Sequence, residues 1–167
     1  ASRQSLPKTR KYGSVRILAL ETSARAGRVA ALDDDVLLGQ IELDPQQRTT
    51  QTLAPAIVTQ LQAVGWQPSD LQLLVVTQGP GSFTGLRVGV TTAKTLAYAV
   101  GAQIIGLNTL EVIAAQAPDD QIHATSLWAV IDARRQQLFA ARFQQTRDGL
   151  PPATKPTHLV DKARWLA

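Results

Sequence analysis

Apolar positions along the chain fall into two rhythms, one of alternating or continuous short runs and one that repeats every three to four residues. VRILALE (15–21) is a short apolar run of strand type, and GRVAALDDD (27–35) and VLLGQIELD (36–44) follow with alternating faces. The acidic run Asp33-Asp34-Asp35 between them supplies a hairpin turn, so three early antiparallel strands are expected. In TTQTLAPAIVTQLQAVG (49–65) the rhythm changes. Leu53, Ile57 and Leu61 repeat at i, i+4, i+8 with Val58 and Val64 beside them, which predicts an amphipathic helix. Thr49 or Thr50 can cap it, Gly65 can stop it, and Pro55 is tolerable in a first turn. QPSDLQ (67–72) reads as a connector and LQLLVVT (71–77) as a buried strand.

A second helix is expected over Leu86–Val100, ending at Gly101, and a fifth strand over QIIGLN (103–108). TLEVIAAQ (109–116) starts a third helix, with Thr109 as its cap and Glu111 in its first turn. After Ala-Pro-Asp-Asp (117–120) the pattern restarts. SLWAVIDAR (126–134) and QQLFAARFQ (136–144) read as a new hairpin, and PPATKP (151–156) as loop. The order β-β-β-α-β-α-β-α describes an α/β fold whose strand–helix–strand units require right-handed crossovers and a partly parallel sheet. The expected division is a basic, disordered tail over 1–14, a first lobe over 15–118 and an incomplete or minimal second lobe over 119–167.

Between the fourth strand and the second helix lies GPGSFTG (79–85), in the setting of a phosphate-binding loop. Its spacing fits no catalytic pattern. A Walker A loop requires a lysine directly after its second glycine, and here the first lysine downstream is Lys94. Gly79, Gly81 and Gly85 give G-x-G-x-x-x-G rather than the dinucleotide fingerprint. Ser82 lacks the flanking glycines of a nucleophile elbow, and neither His123 nor His158 is near it in sequence. The stretch reads instead as a shaping turn. Gly79 and Gly81 permit angles a side chain forbids, Pro80 stiffens the turn, and Ser82 or Thr84 can cap the next helix. That helix carries Gly85, Gly89, Ala93, Ala97 and Gly101, all small and four residues apart. Interior glycines cost roughly 1 kcal/mol each against alanine, which a close backbone approach would offset. The neighbour is open between helix 49–65 and another subunit.

Composition narrows the setting. Among 167 residues, 44% are hydrophobic, enough for a core, and there is no cysteine, which excludes disulfides and thiolate chemistry. No apolar run nears the ~20 residues that span a bilayer, and the N-terminal ASRQSLPKTRKYGS has no apolar centre. A cytoplasmic protein away from the membrane is expected. Four of the 17 basic residues (Arg3, Lys8, Arg10, Lys11) fall in the first 14 positions, which hold no acid. That leaves 13 against the 13 acidic residues, so the net charge of +4 belongs to the tail. A basic arm can bind RNA phosphates, but base stacking needs interleaved aromatics and only Tyr12 offers one there. The absence of methionine predicts that a native start is missing or trimmed.

ILALETS (17–23), GPGSFTGLRVGVTTAKTLAYA (79–99), IIGLNTLEVIA (104–114) and IDARRQQLFAA (131–141), in that order, resemble the TsaB family, also called YeaZ. The resemblance spans 15–145. It implies an actin-like, ribonuclease-H-like fold of two lobes. The implied role is that of a non-catalytic partner of the TsaD transferase in making N6-threonylcarbamoyladenosine on tRNA, with TsaE as an accessory ATPase. Contact with tRNA would come through the complex, and a homodimer is the other assembly the resemblance suggests. Leu53, Ile57, Gly85, Gly89, Ala93 and Ala97 would then face the partner. TsaD-type transferases carry a metal motif, H-H-M-E-G-H, whose metal-binding histidines correspond here to Thr109 and Ile113. Threonine is a poor transition-metal ligand and isoleucine is none, so no metal and no transferase chemistry are expected. In the superfamily a first hairpin of form D-x-G-T cups phosphates, and its counterpart is Glu21-Thr22-Ser23-Ala24. Thr22 and Ser23 are thus a vestigial nucleotide site. No cofactor is expected for the chain itself, with ATP or ADP open at a shared interface in the complex. Asp132 is expected to pair with Arg134 or Arg135. The chain departs from the family in Thr49, where a histidine often stands, in Gln136-Gln137 after IDARR, and in ending at residue 167. The alternative reading is a stand-alone ATP-dependent enzyme of the actin-like superfamily.

Overall fold

The computed structural model describes residues 13–117, 126–144 and 153–166. The disordered tail expected over 1–14, its RNA-binding role and the lobe boundary at 118–119 therefore lie outside the described residues, apart from Gly13, Ser14 and residue 117.

Strands β1 (Arg16–Glu21), β2 (Arg28–Asp33) and β3 (Val36–Glu42) form an antiparallel meander, with Asp34 in the left-handed conformation (φ 54°) at the second turn. Aspartate visits that conformation more readily than most residues, and here Asp34 Oδ1 accepts from the amide of Val15, 19 positions away and just ahead of β1, at 2.8 Å. Strands β4 (Leu73–Gly79) and β5 (Gln103–Asn108) add in parallel, giving the order β3-β2-β1-β4-β5. Leu18, Leu20, Val29, Ala31, Leu74 and Val76 bury one face of this sheet.

Two helices cover that face. α1 (Thr49–Ala63) contributes Leu53, Ile57 and Leu61, and α2 (Phe83–Val100) contributes Ala93 and Ala97 to the same core. The N-cap of α1 is Arg48, with no side-chain cap, so neither Thr49 nor Thr50 caps it. Pro55 lies in the second turn rather than the first, on the exposed side, where the carbonyl it leaves unpaired meets water. Gly101 ends α2 in the left-handed conformation (φ 73°).

A short α3 (Thr109–Ala114) follows β5, capped by Asn108, whose Oδ1 accepts from the Leu110 amide at 2.8 Å; Thr109 is inside the helix and is not the cap. Leu110 and Ala114 pack on Ala129, Ala141 and Phe143 of a second, antiparallel sheet. That sheet has the order β6 (Ser126–Arg134), β7 (Gln137–Gln144), β8 (Ala153–Asp161), and α4 (Lys162–Leu166) follows it. The segment read as loop is thus partly strand. β8 is an edge, and Pro156 falls at its register shift between Ala140/His158 and Arg142/Lys155, where a missing amide costs no ladder bond. No helix among the described residues is long and apolar enough to cross a membrane.

Candidate functional site

The carboxyl end of β1 and the turn after β4 lie against each other. Thr22 is fully buried and its amide donates to Thr77 Oγ1 at 3.3 Å. Ser23 is 8% exposed, and both its amide and its hydroxyl donate to Glu21 Oε1, the amide at 2.7 Å. From the other side, the Ser82 amide donates to the Ser23 carbonyl at 2.7 Å. The turn GPGSFTG is therefore pinned to the strand end by a backbone bond.

Three glycines make this approach achievable. A Cβ on Gly81 (φ 157°) would lie 2.6 Å from both Ser23 Cβ and the Ser23 carbonyl oxygen. A Cβ on Gly89 would sit inside contact distance of Thr22 Oγ1 and 3.1 Å from Thr22 Cβ and Cγ2. Gly85 is likewise closed off by the Thr22 carbonyl. Ser82 caps α2, its Oγ accepting from the Gly85 amide at 3.3 Å, which begins the helix three residues earlier than periodicity alone predicts. Thr84 does not cap; it is exposed.

The small-residue stripe Gly85, Gly89, Ala93, Ala97 is buried in the chain's own fold, as are Leu53 and Ile57. The expectation that these six face a partner is corrected: the space left by the glycines is filled by Thr22, and Ala93 and Ala97 join the core that α1 seals. The vestigial nucleotide site is corrected too. Thr22 Oγ1 has no hydrogen-bond partner and no path to solvent, and the Ser23 hydroxyl is committed to Glu21. Where a phosphate-cupping hairpin would leave a gap, protein atoms stand.

The positions aligned with a transferase metal motif are a buried hydroxyl, Thr109, and an apolar branch, Ile113. They do not fit a transition metal, and no group of three His, Cys, Asp or Glu side chains converges among the described residues. Asp132 pairs with neither arginine side chain. Its Oδ1 accepts from the Arg134 amide at 2.7 Å and its Oδ2 from Lys162 Nζ at 3.1 Å, which together hold its carboxyl below the usual carboxylate range.

The outer face of α2 was not singled out by sequence. Phe83 (73% exposed) and Tyr98 (92%) stand in water, with the Arg87 guanidinium 5.4 Å from the Phe83 ring centre. A cavity of about 350 Å³ lies along Thr84, Arg87, Val88, Thr91 and Thr92. The signal was present as the i, i+4 series Phe83, Arg87, Thr91 opposite the small residues.

Residues 44–163 match the family model described as TsaD, tRNA N6-adenosine threonylcarbamoyltransferase. The tRNA threonylcarbamoyladenosine biosynthesis protein TsaB of Bacillus subtilis is 34% identical over 151 residues, 90% of this chain and 64% of that protein. TsaB of Escherichia coli is 35% identical over 136 residues, 81% of this chain and 58% of that protein. The chain thus spans under two thirds of the length of these two relatives. Among solved structures, YeaZ from Pseudomonas aeruginosa superposes with a TM-score of 0.78 at 26% identity, covering 88% of this chain and 68% of that one. The five-stranded mixed sheet, the second sheet and these matches agree on an actin-like, ribonuclease-H-like fold. The chain belongs to the threonylcarbamoyladenosine family that the TsaD model describes, on its TsaB (YeaZ) branch.

Proposed function

We propose that the chain is a non-catalytic scaffold subunit of the N6-threonylcarbamoyladenosine machinery, acting in the cytoplasm by binding and supporting a TsaD-type transferase. A TsaE-type ATPase is a further component, and tRNA is reached through the complex. The observation that carries the reading is the closed strand end: Thr22 and Ser23 lie under Gly81 and Gly89, so the chain offers surface rather than a cradle. Branch membership supports it, since the TsaB relatives are named as biosynthesis proteins of this modification.

With the small-residue stripe turned inward, the docking face is the outside of α2. Phe83 and Tyr98 give it exposed aromatic anchors, with the Arg87 cation beside Phe83, and tyrosine and arginine are enriched at interface hot spots. Titration calorimetry with the cognate transferase tests the assignment. Tyr98→Asp together with Arg87→Glu should leave folding within ~0.5 kcal/mol, as exposed changes do, and should remove binding. Full binding by the folded double variant would reject this face. ATP hydrolysis above background by the chain alone, or about one tightly held zinc or iron per chain, would favour the stand-alone enzyme instead.

A further inference from the structure

The second sheet carries an aromatic and basic cavity that plays no part in the scaffold reading. Register places Val130 opposite Ala140 and Ala140 opposite His158, so these share one face of β6, β7 and β8 with Trp128. Trp128 is 40% exposed. Its ring meets Trp165 of α4 edge-on at 4.8 Å and His158 edge-on at 6.0 Å, while Lys155 Nζ stands 5.8 Å from its centre. Trp128, Lys155, His158, Asp161, Arg164 and Trp165 line a cavity of about 430 Å³, within the ~300–1,000 Å³ usual for small-ligand sites.

The chemistry of the lining selects the ligand. Neither Lys155 nor Arg164 has a carboxylate partner among the described residues, and Asp161 accepts from Gln137 Nε2 at 3.4 Å. Two cations without a carboxylate partner beside a part-exposed indole repel a cationic guest, and a purely apolar guest would strip them of water without replacing it. An anion carrying a flat aromatic group satisfies both. His158 Nδ1 lies 3.0 Å from the Pro156 carbonyl, which can only accept, so Nδ1 carries a proton and Nε2 is the ring nitrogen left to meet a polar group of a guest. A nucleotide has all three features, and a base free to stack is one from a single strand. We propose that this cavity binds one nucleotide of single-stranded RNA, its base stacked on Trp128 and its phosphate held by Lys155 and Arg164. The sequence conceals the site because its residues come from two strands of the sheet and a helix.

The test is fluorescence anisotropy of a 5′-labelled single-stranded adenosine decamer with the full chain, across a salt series. Trp128→Ala should weaken binding by about 5- to 100-fold, the loss typical of one stacking side chain, and Trp128→Phe should restore most of it. Lys155→Gln should flatten the dependence of log affinity on log salt by ~0.7, one single-strand phosphate contact. Circular dichroism confirms that each variant is folded, and Trp128→Phe keeps an aromatic in place should the alanine variant unfold. No decamer binding by the parent chain, parent-like affinity in folded Trp128→Ala, or an unchanged slope in Lys155→Gln would overturn the assignment. Adenosine monophosphate competing as strongly as the decamer would also overturn it, by identifying a free-nucleotide site.

Discussion

The contact between Gly89 and Thr22 predicts an inversion of the ordinary glycine-to-alanine effect. In an exposed helix interior, Gly→Ala stabilises by about 0.8–1.0 kcal/mol. At position 89 the new methyl would overlap Thr22 Oγ1 and press on its Cβ and Cγ2 at 3.1 Å. Thr22 cannot retreat: it is fully buried, and its amide is bonded to Thr77. Overpacking in such a place costs ~1–3 kcal/mol, and the rigidity puts this site near the upper end. Gly89→Ala should therefore be destabilising by about 2 kcal/mol, or roughly 4–8 °C in Tm for a chain of this size. Thr22→Ala removes the overlapping hydroxyl, which is buried without a partner, so its own cost should be small. The double variant should recover the helix gain, with a coupling of ~2–3 kcal/mol. Urea melts followed through the buried Trp66 measure all four corners of the cycle. A Gly89→Ala protein as stable as its parent, or a coupling near zero, would refute the reasoning.

Ser82→Ala should cost ~0.5–2 kcal/mol, the loss of one cap, and impair no chemical step, as urea melts and activity of the reconstituted complex would report. Gln136→Gly should stabilise by up to ~1 kcal/mol, because Arg134, Arg135 and Gln136 all hold positive φ (65°, 49° and 61°) at the β6–β7 turn and glycine adopts it freely; urea melts decide the sign. Carbon-detected NMR should find Asp132 titrating below an ordinary aspartate, because the Arg134 amide and Lys162 both favour its charged form. A folded value below the unfolded one means the Asp132 clamp on Arg134 and Lys162 is complete above the ordinary carboxylate range and is lost as pH falls through the lowered value. In Lys162→Gln the Asp132 midpoint should move back up. Asn108→Ala should cost ~0.5–2 kcal/mol through its cap of α3. It also removes the 3.1 Å bond from Asn108 Nδ2 to Thr157 Oγ1, so hydrogen exchange in β8 should quicken.

What the sequence disclosed follows the range of the forces involved. Strand alternation, the α1 period and the left-handed Gly101 stop are local, and β1–β5 and α1–α3 stand in the expected order. Pro156 misled because a proline signals a break only where its amide is needed, and an edge strand at a register shift needs none. α3 took Asn108, a stronger cap than Thr109, while α1 starts after Arg48 with no side-chain cap, its place set by the burial of Leu53, Ile57 and Leu61. The glycine stripe was legible as close packing but not as to its neighbour. Periodicity gives a helix a face, not a direction, and it was Thr22, 67 positions away, that filled the space. Asp132 turned to Lys162 for the same reason, as α4 is adjacent only in space.

The fit of Thr22 against Gly89 also bears on how such a chain came to be. A β-branched residue can enter position 22 only where position 89 already lacks a side chain, because even alanine there overlaps it. Glycine at 89 is thus the condition under which threonine fits at 22. With threonine in place, any side chain at 89 meets it, so position 89 cannot change until position 22 has given up its branch. Sequences descended from the same ancestor should then divide into two sets: those with glycine at 89, free to carry threonine at 22, and those with any larger residue at 89, confined to something smaller at 22. The closed strand end is in that sense a ratchet, turned by one methyl group.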